Sequence, residues 1–320
     1  MIDVSVIIVT YNSEKQIVAC LESVFAQCQN ITQEVIVLDN SPADGTAKIV
    51  QNRFPQVKLI LPGKNLGFAA GVNEACRHAT GEFVLLLNPD TIILRNAIGV
   101  VVEFARANPS YGIYGGRTLK EDGSLERSSC WGLPSLWSLA TFAVGLSAIA
   151  PRSAFFHPEG LGQWKRDTVR EVGVITGCFL LAPLTVWRKL NGLDERFFMY
   201  GEDTDLAMRA RKSGFRPVIC PAAELVHEVG QSSSTPLHKA LLLYRGKACY
   251  VRTHWSGIRQ QAGLWMLQLG VGLRSLAAAM LRKPDSTWCA LWKKRGEWLA
   301  GYPAFAPEAR TPRLAPKPVR

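Results

Sequence analysis

Residues 197–210 read FFMYGEDTDLAMRA and put three carboxylates, Glu202, Asp203 and Asp205, within four positions. Acidic side chains at a helix start can cap its first turn, or one of them can serve as a general base. Helical spacing separates the three. Asp205 aligns with Met208, Arg209 and Lys212, so it is expected to be a surface partner of Arg209, an interaction of only ~0.3–0.5 kcal/mol. Asp203 aligns with Leu206, Ala207 and Ala210, the small-residue side expected to pack inward. Glu202 precedes the helix, where orienting an acceptor and capping the first turn stand equal. The helix dipole at this end favours an ionised carboxylate.

Four polar clusters elsewhere follow apolar runs: Thr10-Tyr11-Asn12, Asp39-Asn40, Asn65 with Gly67, and Asn88-Pro89-Asp90. Each alone is an ordinary turn composition. Asp39, after VIVL, has the acceptor that the N3–H of uracil or thymine requires, and an Asx-turn is its structural alternative. Asp90, after FVLLL, is a lone carboxylate whose natural partner is a hard divalent cation bridging to a diphosphate. A turn or helix-cap role is the alternative there.

These residues need a frame. VSVIIV (4–9) is the nearly continuous β-branched run expected of a central parallel strand covered on both faces. Ser13 and Gln16 have capping-box spacing, predicting a helix from there to about residue 28. EVIVLD (34–39), VKLIL (57–61) and EFVLLL (82–87) are further strands. DGTAKIVQNRF lies between the first two as a helix, and AAGVNEACRHA, stopped by Gly81, precedes the third. Such alternation indicates an α/β doubly wound sheet, whose ligands bind beyond the carboxyl ends of its strands. All four polar clusters fall at those ends. Neither G-x-G-x-x-G after the first strand nor G-x-x-x-x-G-K-[ST] occurs, which removes dinucleotide and P-loop readings. VGVITGCFLLAP (172–183) and RPVIC are later strands, and the acidic helix is expected over 203–213, ending at Gly214.

The formal charge is +11, and it is uneven. Residues 237–320 hold 15 Lys+Arg against 3 Asp+Glu, whereas residues 1–236 are nearly balanced. Apolar stretches accompany that basicity, which points to an anionic membrane surface rather than nucleic acid; no helix-turn-helix, zinc-finger or RRM signature is present. The eight cysteines are scattered with no C-x-x-C pair, as reduced, mostly buried thiols of a cytosolic protein would be. No signal peptide is expected.

The motifs VSVIIVTYNSE, VIVLDNSPADGT, NLGFAAGVNEA, FVLLLNPDT, GEDTDLAMRARKSGF and HEVGQSS occur in this order. Together they resemble the family-2 glycosyltransferases of GT-A fold, most closely their rhamnosyltransferase-like bacterial branch, over residues 3 to about 235. The resemblance implies a nucleoside-diphosphate sugar donor, a divalent metal (Mn2+ or Mg2+) and inversion at the anomeric carbon. It implies that Thr10, Tyr11, Asn12 and Asp39 contact the nucleoside, and that Asn65, Gly67, Asn73 and Asn88 help hold the donor. It further implies that Asp90 binds the metal with His227, and that Asp203 is the base, with Glu202 beside it. The chain departs from the common Asp-x-Asp at Asn88-Pro89-Asp90, where Asn88 offers a carbonyl oxygen and no charge. Asp39 favours dTDP or UDP, and dTDP-L-rhamnose is the expected donor. The expected acceptor is a lipid-linked or polysaccharide hydroxyl in cell-surface glycan assembly. A UDP-sugar transferase of the same fold and a non-catalytic nucleotide-sugar or carbohydrate-binding protein are the competing readings. A sugar-nucleotide pyrophosphorylase would need a Gly-rich, Arg-containing loop after the first strand, which TYNSEK is not.

The organisation expected is a GT-A domain over 1–236, a basic helical region over 237–300 and a disordered Pro-rich tail over 301–320, the whole lying on the inner face of the plasma membrane. The uncharged run 128–151 is expected as an interfacial or acceptor-lining helix, with buried core and membrane span as alternatives. Over 260–281, Trp265, Leu269, Leu276 and Met280 share one helix face, which suits a helix lying among headgroups. Packing on the domain is the alternative.

Overall fold

The computed structural model describes residues 1–27, 30–41, 44–227 and 235–303. The first half alternates as expected: β1 (Val4–Thr10), α1 (Ile17–Ala26), β2 (Gln33–Asp39), α2 (Thr46–Arg53), β3 (Lys58–Ile60), α3 (Phe68–Cys76) and β4 (Phe83–Leu87). Then follow β5 (Thr91–Ile93), α4 (Ala97–Ala107), β6 (Tyr114–Leu119), β7 (Cys130–Trp131), α5 (Leu136–Ala143) and α6 (Leu146–Ile149). β8 (Arg170–Glu171), β9 (Val174–Ile175), β10 (Phe179–Pro183), α7 (Leu184–Lys189), α8 (Glu202–Lys212) and β11 (Val218–His227) complete the sheet-bearing part. Four helices close the described chain: α9 (Pro236–His254), α10 (Gly257–Met280), α11 (Thr287–Lys293) and α12 (Arg295–Ala300).

The main sheet runs β3-β2-β1-β4-β10-β6-β11-β5, with β8 paired to β11. β1 is parallel to both β2 and β4, while β10 turns antiparallel against β4. The nearly continuous apolar run of β1 has a direct cause. Val4, Val6 and Ile8 enter the core shared with α1, α2 and α4, whereas Ile7 and Val9 enter the core shared with α3, α7 and α8. Both faces are covered, so the strand is apolar apart from Ser5, whose buried hydroxyl donates to Glu34 and accepts from the Gly81 N–H, and the terminal Thr10.

Several local expectations change. The Ser13 hydroxyl bonds within its own turn, accepting from the Tyr11 N–H at 3.2 Å, so no capping box forms and α1 begins later, at Ile17. α3 ends at Cys76, before Gly81. Gly81 is there because a Cβ would meet the Ser5 backbone nitrogen at 2.7 Å. The run 128–151 is neither one helix nor a span: it divides into a 3-10 turn, β7, α5 and α6. Among the described residues no helix is long and apolar enough to cross a membrane. The described cysteines are all free and buried; Cys28 lies outside the described residues.

Residues 237–300 form a helical unit with a core of its own, including Tyr244, Trp255, Leu267, Val271 and Trp298, into which α5 inserts Leu139. Glycines on α10 admit rings: a Cβ on Gly270 would meet Phe142 at 2.3 Å, and one on Gly263 would meet Trp255 at 2.6 Å. The tail expectation fails at its start, since Tyr302 is buried with Phe197, Leu242 and Cys249, and its hydroxyl donates to the carbonyls of Met199 and Leu242. Residues 304–320 lie outside the described residues.

The surface assignment of Asp205 is also corrected: the residue is 1% exposed. Its carboxylate accepts from Arg209 Nε at 2.7 Å and lies 2.8 Å from His254 Nε2, at the end of α9. Arg209 also donates to the Gly192 carbonyl at 2.9 Å. The i+4 pair predicted from sequence exists, but a third partner from a distant helix buries it. Burial alone would push the Asp205 carboxyl up; the His254 and Arg209 contacts outweigh it and hold the group below the usual carboxylate range. A carboxyl depressed by folding stabilises the protein above its unfolded value of about 3.9, and that stabilisation fades as pH falls toward the folded value. Asp205→Ala should therefore cost about 3 kcal/mol at neutral pH in urea unfolding, as loss of one partner of a buried pair does. The gap from wild type should narrow below about pH 4. A variant within ~0.5 kcal/mol of wild type at neutral pH, the size of an ordinary surface substitution, would show the cluster to be dispensable.

Candidate active site

The parallel strands place their carboxyl ends together. Thr10 is in register with Asp39 across β1 and β2, and Ile8 with Leu87 across β1 and β4. At the first of these ends the Thr10 hydroxyl donates to Asp39 Oδ1 at 2.8 Å and the Ser41 N–H donates to the same oxygen at 3.0 Å. Asp39 Oδ2 is buried with no hydrogen-bond partner among the described residues. Burial pushes the Asp39 carboxyl up, with the bonds from Ser41 and Thr10 opposing. Thr10 and Ser41 thus fix the carboxylate while one oxygen stays unmatched, a state that costs free energy unless a donor arrives. Tyr11 and Asn12 are exposed beside it, and the Asn12 N–H donates to Ser41 Oγ at 2.5 Å.

The Asn40 amide reaches across to the neighbouring loop, donating to the Gly67 carbonyl and accepting from the Leu66 N–H, both at 3.1 Å. Asn65 Oδ1 accepts from the Gly67 N–H at 2.8 Å in an Asx turn. Gly67 has φ +81°, and a Cβ there would meet the Phe198 carbonyl at 2.6 Å. Phe198 in turn accepts the Phe68 N–H at 2.8 Å, tying this loop to the segment that leads into α8.

At the second end, Asp90 sits between β4 and β5, and β5 pairs with β11 so that Thr91 faces His227. This register brings His227 Nε2 to 3.4 Å from Asp90 Oδ1 and 3.5 Å from the Asn88 amide nitrogen. Asp90 Oδ1 is buried and accepts no hydrogen bond among the described residues. His227 Nδ1 lies 3.2 Å from Ser128 Oγ, a contact that can hold the ring with Nε2 toward Asp90. Two thiols lie behind, Cys20 and Cys178. Burial pushes each up to about 12, and the charge of Asp90 adds to both. The charge of Asp203 adds to Cys178 as well. The remainder of the HEVGQSS motif lies outside the described residues.

α8 supplies the third component. It is preceded by Tyr200 at φ +67° and Gly201 at φ +100°. α9 crosses directly behind, where a Cβ on Gly246 would meet the Tyr200 carbonyl at 2.1 Å. Glu202 opens the helix and is buried, with Oε2 unpartnered among the described residues; it makes no capping bond. Asp203 is half-buried. Its Oδ1 accepts from the Thr204 N–H at 2.6 Å and from the Thr204 hydroxyl at 3.2 Å, which leaves Oδ2 for a ligand. Burial pushes both carboxyls up. Glu202 rises further because Asp203's charge adds to its burial. Asp203 is therefore the first of the pair to ionise.

Asn73 does not join this group. Its Nδ2 donates to the Leu193 carbonyl at 2.8 Å and to Glu195 Oε1 at 3.0 Å, while its Oδ1 accepts from the Leu193 N–H at 2.9 Å. The amide is spent on clamping the 193–195 segment to α3, so the expected contact with a donor is corrected to a framework role. Ser128, Ser41 and Gly246 are neighbours that sequence reading missed. Ser128 lies in an uncharged stretch with no motif around it, and nothing in the spacing marks it.

Among the described residues no group of three His, Cys, Asp or Glu gathers. Asp90 and His227 with the Asn88 amide still fit a divalent cation. The donors available are one carboxylate oxygen without a hydrogen bond, one imidazole and one side-chain amide.

The chain is 29% identical over 256 residues to the N-acetylglucosaminyl-diphospho-decaprenol L-rhamnosyltransferase of Mycobacterium tuberculosis, covering 75% of this chain and 81% of that one. It is 26% identical over 249 residues to the rhamnosyltransferase WbbL of Escherichia coli, covering 74% and 88%. Among solved structures it is similar to the mannosyltransferase PcManGT of Pyrobaculum calidifontis in complex with GDP-Man and Mn2+, with TM-score 0.54, 18% identity and coverage of 93% and 85%. It is also similar to S. aureus TarS 1–349 in complex with UDP-GlcNAc, with TM-score 0.55, 17% identity and coverage of 94% and 82%. At these identities the structural likeness establishes the fold, which is GT-A. Residues 5–168 match the family model described as glycosyl transferase family 2, and the chain belongs to that family of glycosyltransferases.

Proposed function

We propose that the protein is an inverting, metal-dependent hexosyltransferase. In this reading it moves L-rhamnose from dTDP-L-rhamnose to a hydroxyl of a lipid-linked or polysaccharide acceptor in cell-surface glycan assembly. The observation that supports it is three carboxylates, each with an oxygen left without a hydrogen bond among the described residues: Asp39 at the end of β2, Asp90 after β4, and Asp203 at the start of α8. The similarity to two rhamnosyltransferases supports the choice of sugar. The sheet-bearing part over 1–236 would carry the chemistry, with the helical region over 237–300 set against an anionic membrane on its cytoplasmic side.

In this reading Asp39 accepts the N3–H of the pyrimidine base, with Tyr11 and Asn12 beside it, and Asn65 and Gly67 shape the loop along the donor. Asp90, His227 and Asn88 would hold Mn2+ or Mg2+, whose chemistry there is to offset charge on the departing nucleoside diphosphate. Asp203 Oδ2 takes the proton of the acceptor hydroxyl as that oxygen attacks the anomeric carbon from the face opposite the leaving group. Glu202, buried beside it and pushed up further, ionises after Asp203.

Asp203→Asn should lower kcat by ~10²–10⁴-fold while leaving dTDP affinity and folding unchanged. A folded variant with wild-type turnover would remove Asp203 as the base. Because burial raises the Asp203 carboxyl, and the base must be ionised, the acid limb of the rate profile should lie above the ordinary carboxylate value of about 3.9. Glu202→Gln should leave that limb in place, since Glu202 ionises after Asp203; a displaced limb would show that the Glu202 charge acts on the base. Asp90→Ala should abolish the Mn2+-dependent part of dTDP binding in calorimetry, and binding with equal metal dependence in the variant would dismiss the site. Mass spectrometry of products from a mixed panel of dTDP, UDP and GDP sugars decides the donor.

A further inference from the structure

α10 leaves one side bare. Trp265, Leu269, Leu273, Leu276 and Met280 follow at steps of four, four, three and four, a single helix face. Trp265 is 61% exposed, Leu276 58% and Met280 76%, with Leu273 also exposed and Leu269 half-buried. The stripe runs for ~22 Å along the axis. It borders a groove of about 540 Å³ between α10 and α11, walled on the far side by Trp292. Gly272 admits that ring, since a Cβ there would lie 3.0 Å from it. Neither the Trp265 nor the Trp292 indole N–H has a hydrogen-bond partner among the described residues, so each ring offers an apolar body and a free donor.

The rim of this surface is basic. Arg282, Lys283, Lys293, Lys294 and Arg295 are all exposed, and Arg295 lies over the Trp292 ring at 4.7 Å. Over residues 282–297 the only acids are Asp285 and Glu297, and Glu297 is already within 3.1 Å of Lys294 and 3.4 Å of Arg245. A second copy docking face to face would set these cations against one another. Anionic headgroups complement them, and acyl chains complement the stripe.

We propose that the α10–α11 face is a membrane-binding surface for anionic phospholipid. Trp265, Leu276 and Met280 enter the acyl boundary, and Arg282, Lys283 and Lys293 sit on headgroup phosphates. The proposal names the face for the peripheral-membrane reading above, on which it rests. The other side of the same helical unit touches the site, because Gly246 of α9 packs on Tyr200 and Gly201 just ahead of Asp203. Lipid seated on α10 therefore sets the reaction centre at a fixed height above the bilayer.

The test is flotation of the full chain with vesicles of phosphatidylcholine alone or with 30 mol% phosphatidylglycerol added (roughly the anionic density at which polybasic segments bind). Wild type should float with the anionic vesicles, weaken in high salt, and show a blue-shifted tryptophan emission that the Trp265→Phe variant reduces. Trp265→Ala/Leu276→Ser/Met280→Ser should lower partitioning at least ~tenfold, given the apolar area lost. Arg282→Gln/Lys283→Gln/Lys293→Gln should lower it about fivefold per charge on anionic vesicles only. Both variants should keep the wild-type melting temperature and transfer to a water-soluble acceptor analogue. Absence of flotation by wild type, or undiminished flotation by the apolar variant, would overturn the proposal. So would a wild-type dimer that the apolar variant converts to monomer, since a second copy would then be the occupant. Failure of wild type to transfer sugar to any soluble acceptor would count against the proposed reaction and leave the vesicle result standing.

Discussion

The position of the proposed base depends on a carboxylate two residues further along the same helix. Asp205 is buried where α8 meets the end of α9, and its two oxygens are divided between Arg209 and His254. Arg209 extends the network to the 190–192 loop. A buried carboxylate tolerates little displacement, because any lost contact leaves charge unpaired in a medium of low dielectric. The first turn of α8 is therefore held in angle and depth from two sides, and Asp203 inherits that placement. The backbone crossing at Gly246 and the Tyr302 hydroxyl on the Met199 carbonyl act on the segment just before it. The helical unit is thus part of the support of the site as well as a neighbour of it.

The sheet supplies the opposite wall by simpler means. Parallel pairing of β1 with β2 and β4 leaves their carboxyl ends level, and a chain leaving such an end must turn. Turn residues are polar for local reasons, so Asp39, Asn40, Asn88 and Asp90 accumulate at one edge. What distinguishes the site from an ordinary turn cluster is what remains unsatisfied. Asp39 Oδ2, Asp90 Oδ1 and Glu202 Oε2 are buried without hydrogen-bond partners among the described residues. Each such group costs about 1–3 kcal/mol when left unmade. Such atoms also occur away from this end, at Gln33, Arg166 and Tyr250 among others. It is therefore their position at the strand ends and the start of α8, together with the family, that supports the proposed site.

How much of this could be read beforehand follows from range. β1 was legible because its constraint is local: both faces are covered, so its residues are apolar except Ser5 and Thr10, whose hydroxyls bond to the Gly81 N–H and to Asp39. The i+4 pairing of Asp205 with Arg209 was legible for the same reason, and its burial was not, because His254 is 49 positions away. Asn73 shows the converse error. Its place in a family motif suggested a ligand contact, yet its amide serves Leu193 and Glu195, 120 and 122 positions distant. Gly81 was read as a helix stop and proves to be a point of contact with β1. In each case residue type and periodicity identified the element, while the partner was set by tertiary packing that no short window contains.

Glu202 and Asp203 are where these levels meet. Two adjacent acids at a helix start would ordinarily both ionise and both favour the dipole. Here burial pushes the first of them up, and Asp203's own charge adds to that rise. The fold thereby converts a local duplication into an asymmetric pair in which Asp203 ionises before Glu202. α9 bears on the same turn, through Gly246 against the Tyr200 carbonyl and His254 against Asp205, so the C-terminal helices help to fix where the proposed base stands.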